Sequence, residues 1–137
     1  MDLQLKGKNA VITGGTHGIG LATAIALAKE GCNIAICSRT NKRIKSTLQK
    51  LDNENIKSIG MQVDVLKPKE IKKFCENVID NWGTIHILIN NVGGGGRWGS
   101  KIIEKTNEDV WIDVYNKNAM AAVRFTVFFL PYFRKQK

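Results

Sequence analysis

The sequence predicts an α/β fold built on a doubly wound parallel sheet. Short, β-rich apolar runs alternate with helical patterns at intervals of about thirty residues or less, the signature of βαβ units. A glycine-bearing turn, Thr13-Gly14-Gly15-Thr16-His17-Gly18-Ile19-Gly20, joins the first run directly to the first helical pattern. No linker, internal repeat or domain boundary interrupts the chain, and Gly93-Gly94-Gly95-Gly96 is its one low-complexity segment. Parallel connections cross over right-handed, so the four strands should lie in the order 3-2-1-4.

The first strand is expected over Asn9–Thr13, an apolar run bounded by polar residues. The first helix, about Ile19–Glu30, carries Leu21, Ala24, Ile25 and Ala28 on one face and stops at Gly31, a natural C-terminal cap. A second strand, Asn33–Ser38, leads to a second helix over about Asn41–Asn53, with Ile44, Leu48 and Leu51 at helical spacing. The third strand, Ser58–Val63, precedes a helix that begins with Pro68 in its first turn and buries Ile71, Phe74, Cys75 and Val78. The fourth strand spans Ile85–Asn90, and a last long helix starts after Thr106, where Thr-Asn-Glu-Asp resembles a capping box.

The glycine turn is where a phosphate would bind. A helix N-terminus presents unpaired N–H groups and a partial positive charge, and glycine lets the backbone approach an anion without a Cβ in the way. Gly14, Gly18 and Gly20 are spaced differently from the commoner dinucleotide fingerprint, in which the gaps are one and two residues. The bland alternative for this segment is a tight strand-to-helix turn. The predicted strand order brings the turn, Arg39, Asp64 and Asn90 to the same carboxyl edge of the sheet, around a crevice between strands one and four.

Thr-Gly-x-x-x-Gly-Ile-Gly resembles the nucleotide-binding turn of the short-chain dehydrogenase/reductase family, and three further motifs follow in the family's order. Asn90-Asn91-Val92-Gly93 resembles the family's Asn-Asn-Ala-Gly, with valine in place of alanine, which puts the crevice lining there in doubt. Asp64-Val65 resembles the pair that lines the adenine, and Asn118, between Trp111 and Pro131, stands where the family carries a catalytic helix asparagine. The likeness covers the chain from about Leu5 onward but only the first half or so of a member of about 250 residues. It implies a Rossmann-like NAD(P)-binding domain over residues 1–137, an oxidoreductase acting on a small-molecule carbonyl or secondary alcohol, and a homo-oligomer, dimer or tetramer, in the full-length form.

Cofactor contacts carried over by this resemblance are Gly14, Thr16, His17, Gly18, Ile19, Gly20, Ser38, Arg39, Asp64, Val65 and Asn90. Arg39 ends the second strand where an acidic residue would bind both ribose hydroxyls, and its permanently charged donor fork favours NADP(H) over NAD(H), which stays possible. Its alternative is a solvated loop charge. His17 occupies a place often basic in phosphate-binding relatives, with a weaker, pH-dependent charge; an ordinary turn residue is equally admissible. Asp64 would accept a hydrogen bond from the adenine amino group, or serve only as a strand-end turn residue, while Asn90 and Asn91 would tie neighbouring strands through their amides. Asn118 would hold a water that relays protons to a lysine, or face another helix as a polar packing residue. The glycine run with Arg97 and Trp98 would form a mobile loop over the crevice, Trp98 either shaping a substrate pocket or packing beneath the loop.

A chain of 137 residues, 43% hydrophobic and 24% charged, is enough for one soluble domain with a real core. The apolar stretch Ala119–Phe133 is broken by Arg124 and Pro131 and falls short of the roughly 20 residues of a membrane span. The N-terminus lacks a signal-peptide pattern, and Cys32, Cys37 and Cys75 form no Cys-x-x-Cys pair, so reduced packing thiols, a cytoplasmic location and no metal centre are expected. His86, inside a strand, reads as structural. The net charge of +9 raises a third possibility, a basic nucleic-acid-binding module. Its lysines are dispersed over predicted helix faces, however, and no nucleic-acid motif accompanies them.

The family protonates the developing alkoxide with a tyrosine whose pKa is lowered by a lysine four residues later. Here Tyr115 is followed at that spacing by Ala119 and Tyr132 by Gln136, and both tyrosines read as helix packing residues. Two explanations compete: the N-terminal half of an ordinary reductase, with the catalytic segment missing, or a shortened protein that only binds nucleotide. Retention of Asn118, which has no evident use without the relay, favours the first. Either way, these 137 residues alone are expected to be inactive.

Overall fold

The computed structural model describes residues 2–94 and 102–136. Strands β1 (Asn9–Thr13), β2 (Asn33–Ser38), β3 (Ser58–Gln62) and β4 (Ile87–Ile89) form a parallel sheet in the order β3-β2-β1-β4. Helices α1 (Gly18–Lys29), α2 (Asn41–Leu51) and α3 (Pro68–Trp82) make the crossovers, and α4 (Glu108–Tyr115) and α5 (Ala121–Arg134) follow β4.

Strand residues alternate between two cores, because successive side chains leave a strand on opposite faces. Ala10, Ile12, Ile34 and Ile36 pack with Ala24, Ala28, Ile44 and Leu51 beneath α1 and α2. Val11, Ala35, Cys37 and Val63 pack on the other face with Ile71, Phe74, Val78, Phe125 and Phe129 of α3 and α5. Phe74 meets Phe125 edge to face, with ring centroids 6.2 Å apart. The central strands are therefore covered on both sides, which is why β1 and β2 read as nearly unbroken apolar runs.

Strands β1 and β2 have the expected bounds, and α3 buries the expected Ile71, Phe74, Cys75 and Val78. The fourth strand is shorter than expected. It pairs only with β1, and beyond Ile89 the chain exchanges ladder bonds for side-chain bonds at Asn90 and Asn91. The second helix gives way at Asp52 to a tighter turn, Asp52–Glu54, which closes on left-handed Asn55.

The last helix departs most from expectation. Its N-cap is Asn107, with no side-chain capping bond, because the Thr106 hydroxyl donates instead to Ile102 O (3.0 Å) in the preceding turn. The capping box does not form. Between α4 and α5 lies a π-turn, Asn116–Met120, where Asn118 Nδ2 donates to Val114 O (2.8 Å) and competes with the backbone for that carbonyl. Tyr132 packs as expected, stacked on Phe128, whereas Tyr115 is 60% exposed and is no packing residue.

The lysines on the crossover helices, among them Lys42, Lys45, Lys50, Lys69, Lys72 and Lys73, are all exposed, as a solvated surface requires. Cys32, Cys37 and Cys75 are buried free thiols, and burial pushes that of Cys37 up to about 12. His86 is structural: its Nδ1 accepts the Asn9 backbone N–H (2.9 Å), which holds the start of β4 against β1. Among the described residues no helix is long and apolar enough to cross a membrane.

Candidate functional site

The carboxyl ends of all four strands open into one cleft of about 450 Å³. Its floor is the glycine turn. Gly14 has φ +66, and a Cβ there would lie 3.1 Å from Asn91 Nδ2 and 3.2 Å from Val92 Cγ2. At Gly20 the constraint is space: a Cβ would come within 2.4 Å of Gly14 O. The turn thus folds back on α1 so tightly that only hydrogen fits, and this exposes the start of the helix to the cleft. The first intrahelical bond runs from Leu21 N–H to His17 O (3.2 Å), so the amides just before Leu21 have no acceptor within the helix. No acidic side chain occupies that first turn, and Ile19 beside it is 80% exposed.

The β2 wall is basic. Ser38, Arg39, Thr40 and Arg43 line the cleft there, Arg43 on the first turn of α2. Gln62 Nε2 donates to Arg39 O (2.8 Å) and Thr16 Oγ1 donates to Ser38 Oγ (2.9 Å), so the end of β2 is tied to both β3 and the glycine turn. On the β3 side, Val63, Asp64, Val65 and Leu66 give a mainly apolar surface. Asp64 Oδ1 accepts the Leu66 N–H (3.0 Å), so this residue does shape the strand-end turn while lining the cleft. The Asp64 N–H donates to Glu70 Oε2 (2.7 Å), and this bond, aided by Lys67 Nζ at 3.0 Å from Oε1, holds the Glu70 carboxyl below its usual range.

The β4 wall hangs on one buried hydroxyl. Thr13 Oγ1, 1% exposed in residue terms, accepts the N–H groups of Asn91 (3.0 Å) and Val92 (3.1 Å). Asn91 Nδ2 donates to Thr13 O (3.1 Å) and Gly14 O (3.2 Å), which joins β4 to the glycine turn. Val92 and Gly93 then line the cleft, and Gly94 N–H donates to Asn118 Oδ1 (2.7 Å). Through that contact the π-turn is fixed to the cleft rim, where Lys117 is also a lining residue.

Of the residues expected to contact a cofactor, Gly14, His17, Gly18, Ile19, Ser38, Arg39, Asp64 and Val65 line this cleft together. Thr16 and Gly20 are buried beneath it and act through the backbone they shape. Asn90 is not among the lining residues: its side-chain Nδ2 donates to Thr126 Oγ1 (3.1 Å) on α5 and so ties strand to helix, whereas the amide of Asn91 ties β4 to β1. Asn118 sits at the rim, bonded to Gly94 and Val114, instead of facing a second helix as a packing residue. The sequence reading missed Arg43, Asn91 as a scaffold of the turn, and Lys117. Arg43 was within reach, because a helix that follows a strand points its first turn at the same edge. Lys117 was not, since its placement depends on the π-turn. Gly95, Gly96, Arg97 and Trp98, read as a loop over the crevice, lie outside the described residues.

Sheet order, glycine turn and carboxyl-edge cleft together define a Rossmann-like α/β protein. The family model described as short chain dehydrogenase matches residues 8–137, and the chain belongs to that family. It is 34% identical over 128 residues to a short chain dehydrogenase of Pseudocercospora fijiensis, covering 93% of this chain and 41% of that protein. An L-rhamnose 1-dehydrogenase (NADP(+)) of Thermoplasma acidophilum is 41% identical over 92 residues, covering 66% of this chain and 36% of that one. The L-sorbose reductase of Gluconobacter frateurii, solved with NADPH and L-sorbose, superposes with a TM-score of 0.92 at 33% identity, over 98% of this chain and 50% of that one. An NADH-dependent reductase, A1-R′, solved with NAD, gives 0.88 at 30% identity, over 98% and 55% of the two chains. The chain thus spans about half, or less, of the length of these relatives.

Proposed function

We propose that this chain forms the cofactor-binding half of an NADP(H)-dependent oxidoreductase that interconverts a small carbonyl compound and a secondary alcohol, in the cytoplasm. The pairing of Arg39 with Arg43 on the β2 wall carries the cofactor choice. Two guanidinium groups and no carboxylate of α2's first turn face the place where an adenosine ribose would sit, which suits a 2′-phosphate and not a bare diol. The cradle fits a dinucleotide on its own terms: Gly14 takes the left-handed turn, Gly20 leaves room only for backbone, the start of α1 offers amides to a diphosphate, and Val65 and Leu66 offer a flat apolar wall to the adenine. Relatives named for NADP or solved with NADPH support the same reading.

When bound, the nicotinamide supplies or takes the hydride. The residues of this chain orient it: Gly93 and the Asn118 rim bound the cleft at the β4 side, and Asn118 is proposed to position a water for proton transfer. Neither Tyr115 nor Tyr132 has a lysine four residues later, so the proton donor is not supplied by these 137 residues. These residues alone should therefore bind cofactor without turning substrate over. Fluorescence titration with NADPH and NADH tests the cofactor choice. NADPH should bind more tightly, and Arg39→Gln with Arg43→Gln should erase the preference by weakening NADPH alone, by about tenfold or more. Tighter NADH binding by the parent would overturn the assignment.

A further inference from the structure

We propose that Lys117 is a further cofactor-binding residue, which supplies a positive charge to the diphosphate from the wall opposite Arg39 and Arg43. This rests on the dinucleotide reading of the cleft and adds a contact to it. The sheet order sets the geometry, because β1 lies between β2 and β4. Arg39 and Arg43 follow β2, so their charges stand on one side of the glycine turn. Lys117 reaches the cleft from the other side. Asn91 and Val92 press on Gly14, Gly93 lies so near the π-turn that a Cβ on it would be 3.1 Å from Asn118 Oδ1, and Lys117 is the residue before Asn118.

The π-turn is what puts it there. Asn118 is held at three points, with Gly94 N–H (2.7 Å) donating to its Oδ1 and its Nδ2 donating to Gly94 O (3.4 Å) and Val114 O (2.8 Å). With Asn118 pinned, the widened turn of Asn116–Met120 presents the neighbouring Lys117, half-buried, to the same cleft that His17, Gly18 and Ile19 line. A dinucleotide bearing a 2′-phosphate has two separate anionic centres, and the two arginines stand at the adenosine end. Among the described residues, the diphosphate, seated at the start of α1, would otherwise be met by backbone amides and His17. An ammonium group is a compact charge that serves phosphate oxygens without a fixed fork geometry, and partial burial limits its screening by salt.

The two walls then have separable duties, which binding measurements can read without any turnover. NADPH and NADH are titrated by fluorescence and adenosine 2′-monophosphate by calorimetry, on the parent, Lys117→Met and Lys117→Arg. Lys117→Met should weaken NADPH and NADH by the same factor, about fivefold to thirtyfold, and leave adenosine 2′-monophosphate unchanged. Lys117→Arg, which keeps the charge, should recover most of the loss. Unchanged dinucleotide binding in Lys117→Met, a loss confined to NADPH, or no recovery in Lys117→Arg would each overturn the assignment while leaving the cofactor reading intact. A parent that binds neither dinucleotide would refute the cofactor reading and this assignment with it.

Discussion

Replacing Thr13 by valine removes one oxygen and almost no volume, yet it should loosen a whole wall of the cleft. Thr13 Oγ1 is the acceptor for both Asn91 N–H and Val92 N–H, and it lies within 3.4 Å of Ile89 O, to which it donates. Each N–H left without a partner costs about 1–3 kcal/mol, and about 1.5 kcal/mol apiece applies here because the cleft lets water approach one side. Valine returns a few tenths of a kcal/mol through its preference for strands and up to about 1 kcal/mol through its methyl group. The net loss should be about 1.5–3 kcal/mol, against a total stability on the order of 5–15 kcal/mol for a domain of this kind. Urea unfolding followed by circular dichroism measures it directly, and the melting temperature should fall by about 5–12 °C. Thr13→Ser, which keeps the oxygen and loses a methyl group, should cost only about 1 kcal/mol. Nucleotide affinity should follow the same order, since Val92 and Gly93 are carried by the bonds that valine breaks. A Thr13→Val protein within about 0.5 kcal/mol of the parent, or one no worse than Thr13→Ser, would refute the argument that this hydroxyl supports the wall.

Gly20→Ala should destabilise the protein by about 1–3 kcal/mol and weaken nucleotide binding, although alanine is the better helix former by about 1 kcal/mol, because its Cβ would stand 2.4 Å from Gly14 O. A chemical unfolding curve that shows Gly20→Ala to be more stable than the parent would mean that the turn has room to relax. His86 makes stability depend on pH. Desolvation, helped by the charge of Lys8, lowers its pKa below the usual 6.5, and its Nδ1 must stay unprotonated to accept Asn9 N–H. The unfolded chain therefore takes up the proton more readily, so this contribution is complete above about pH 6.5 and declines as pH falls through that value. Unfolding midpoints between pH 7.5 and 5.5 should drop in the parent and less in His86→Gln, a window chosen to stay above the range where Glu70 titrates.

Much of this fold was legible in the sequence, because a parallel sheet covered on both faces needs long apolar strand runs, and the helices between them need one apolar stripe each. Asn9–Thr13, Asn33–Ser38 and the buried stripe of α3 are cases in which local pattern and tertiary demand coincide. The glycine turn was legible for a related reason: a left-handed Gly14 and a crowded Gly20 leave a mark on residue type, because a side chain at either position brings strain. Arg39, Asp64 and Val65 could be assigned to one cleft because right-handed crossovers fix which strand ends meet.

What the sequence by itself determined was thus the order of strands, the phosphate-sized turn and the basic end of β2. Contacts between side chains distant in sequence were decided only by the tertiary structure. Asn90 turned to Thr126 of α5 while its neighbour Asn91 took the glycine turn, and nothing in two adjacent asparagines distinguishes them until both partners are in place. The Thr106 capping box lost to a competing bond at Ile102, and the last helix widened into a π-turn around Asn118, whose side chain has acceptors and donors at Val114 and Gly94 to satisfy. The physical reason is the same throughout: apolar periodicity and backbone strain are local properties, written residue by residue, whereas a polar side chain chooses among partners that only the completed fold brings within 3 Å or so.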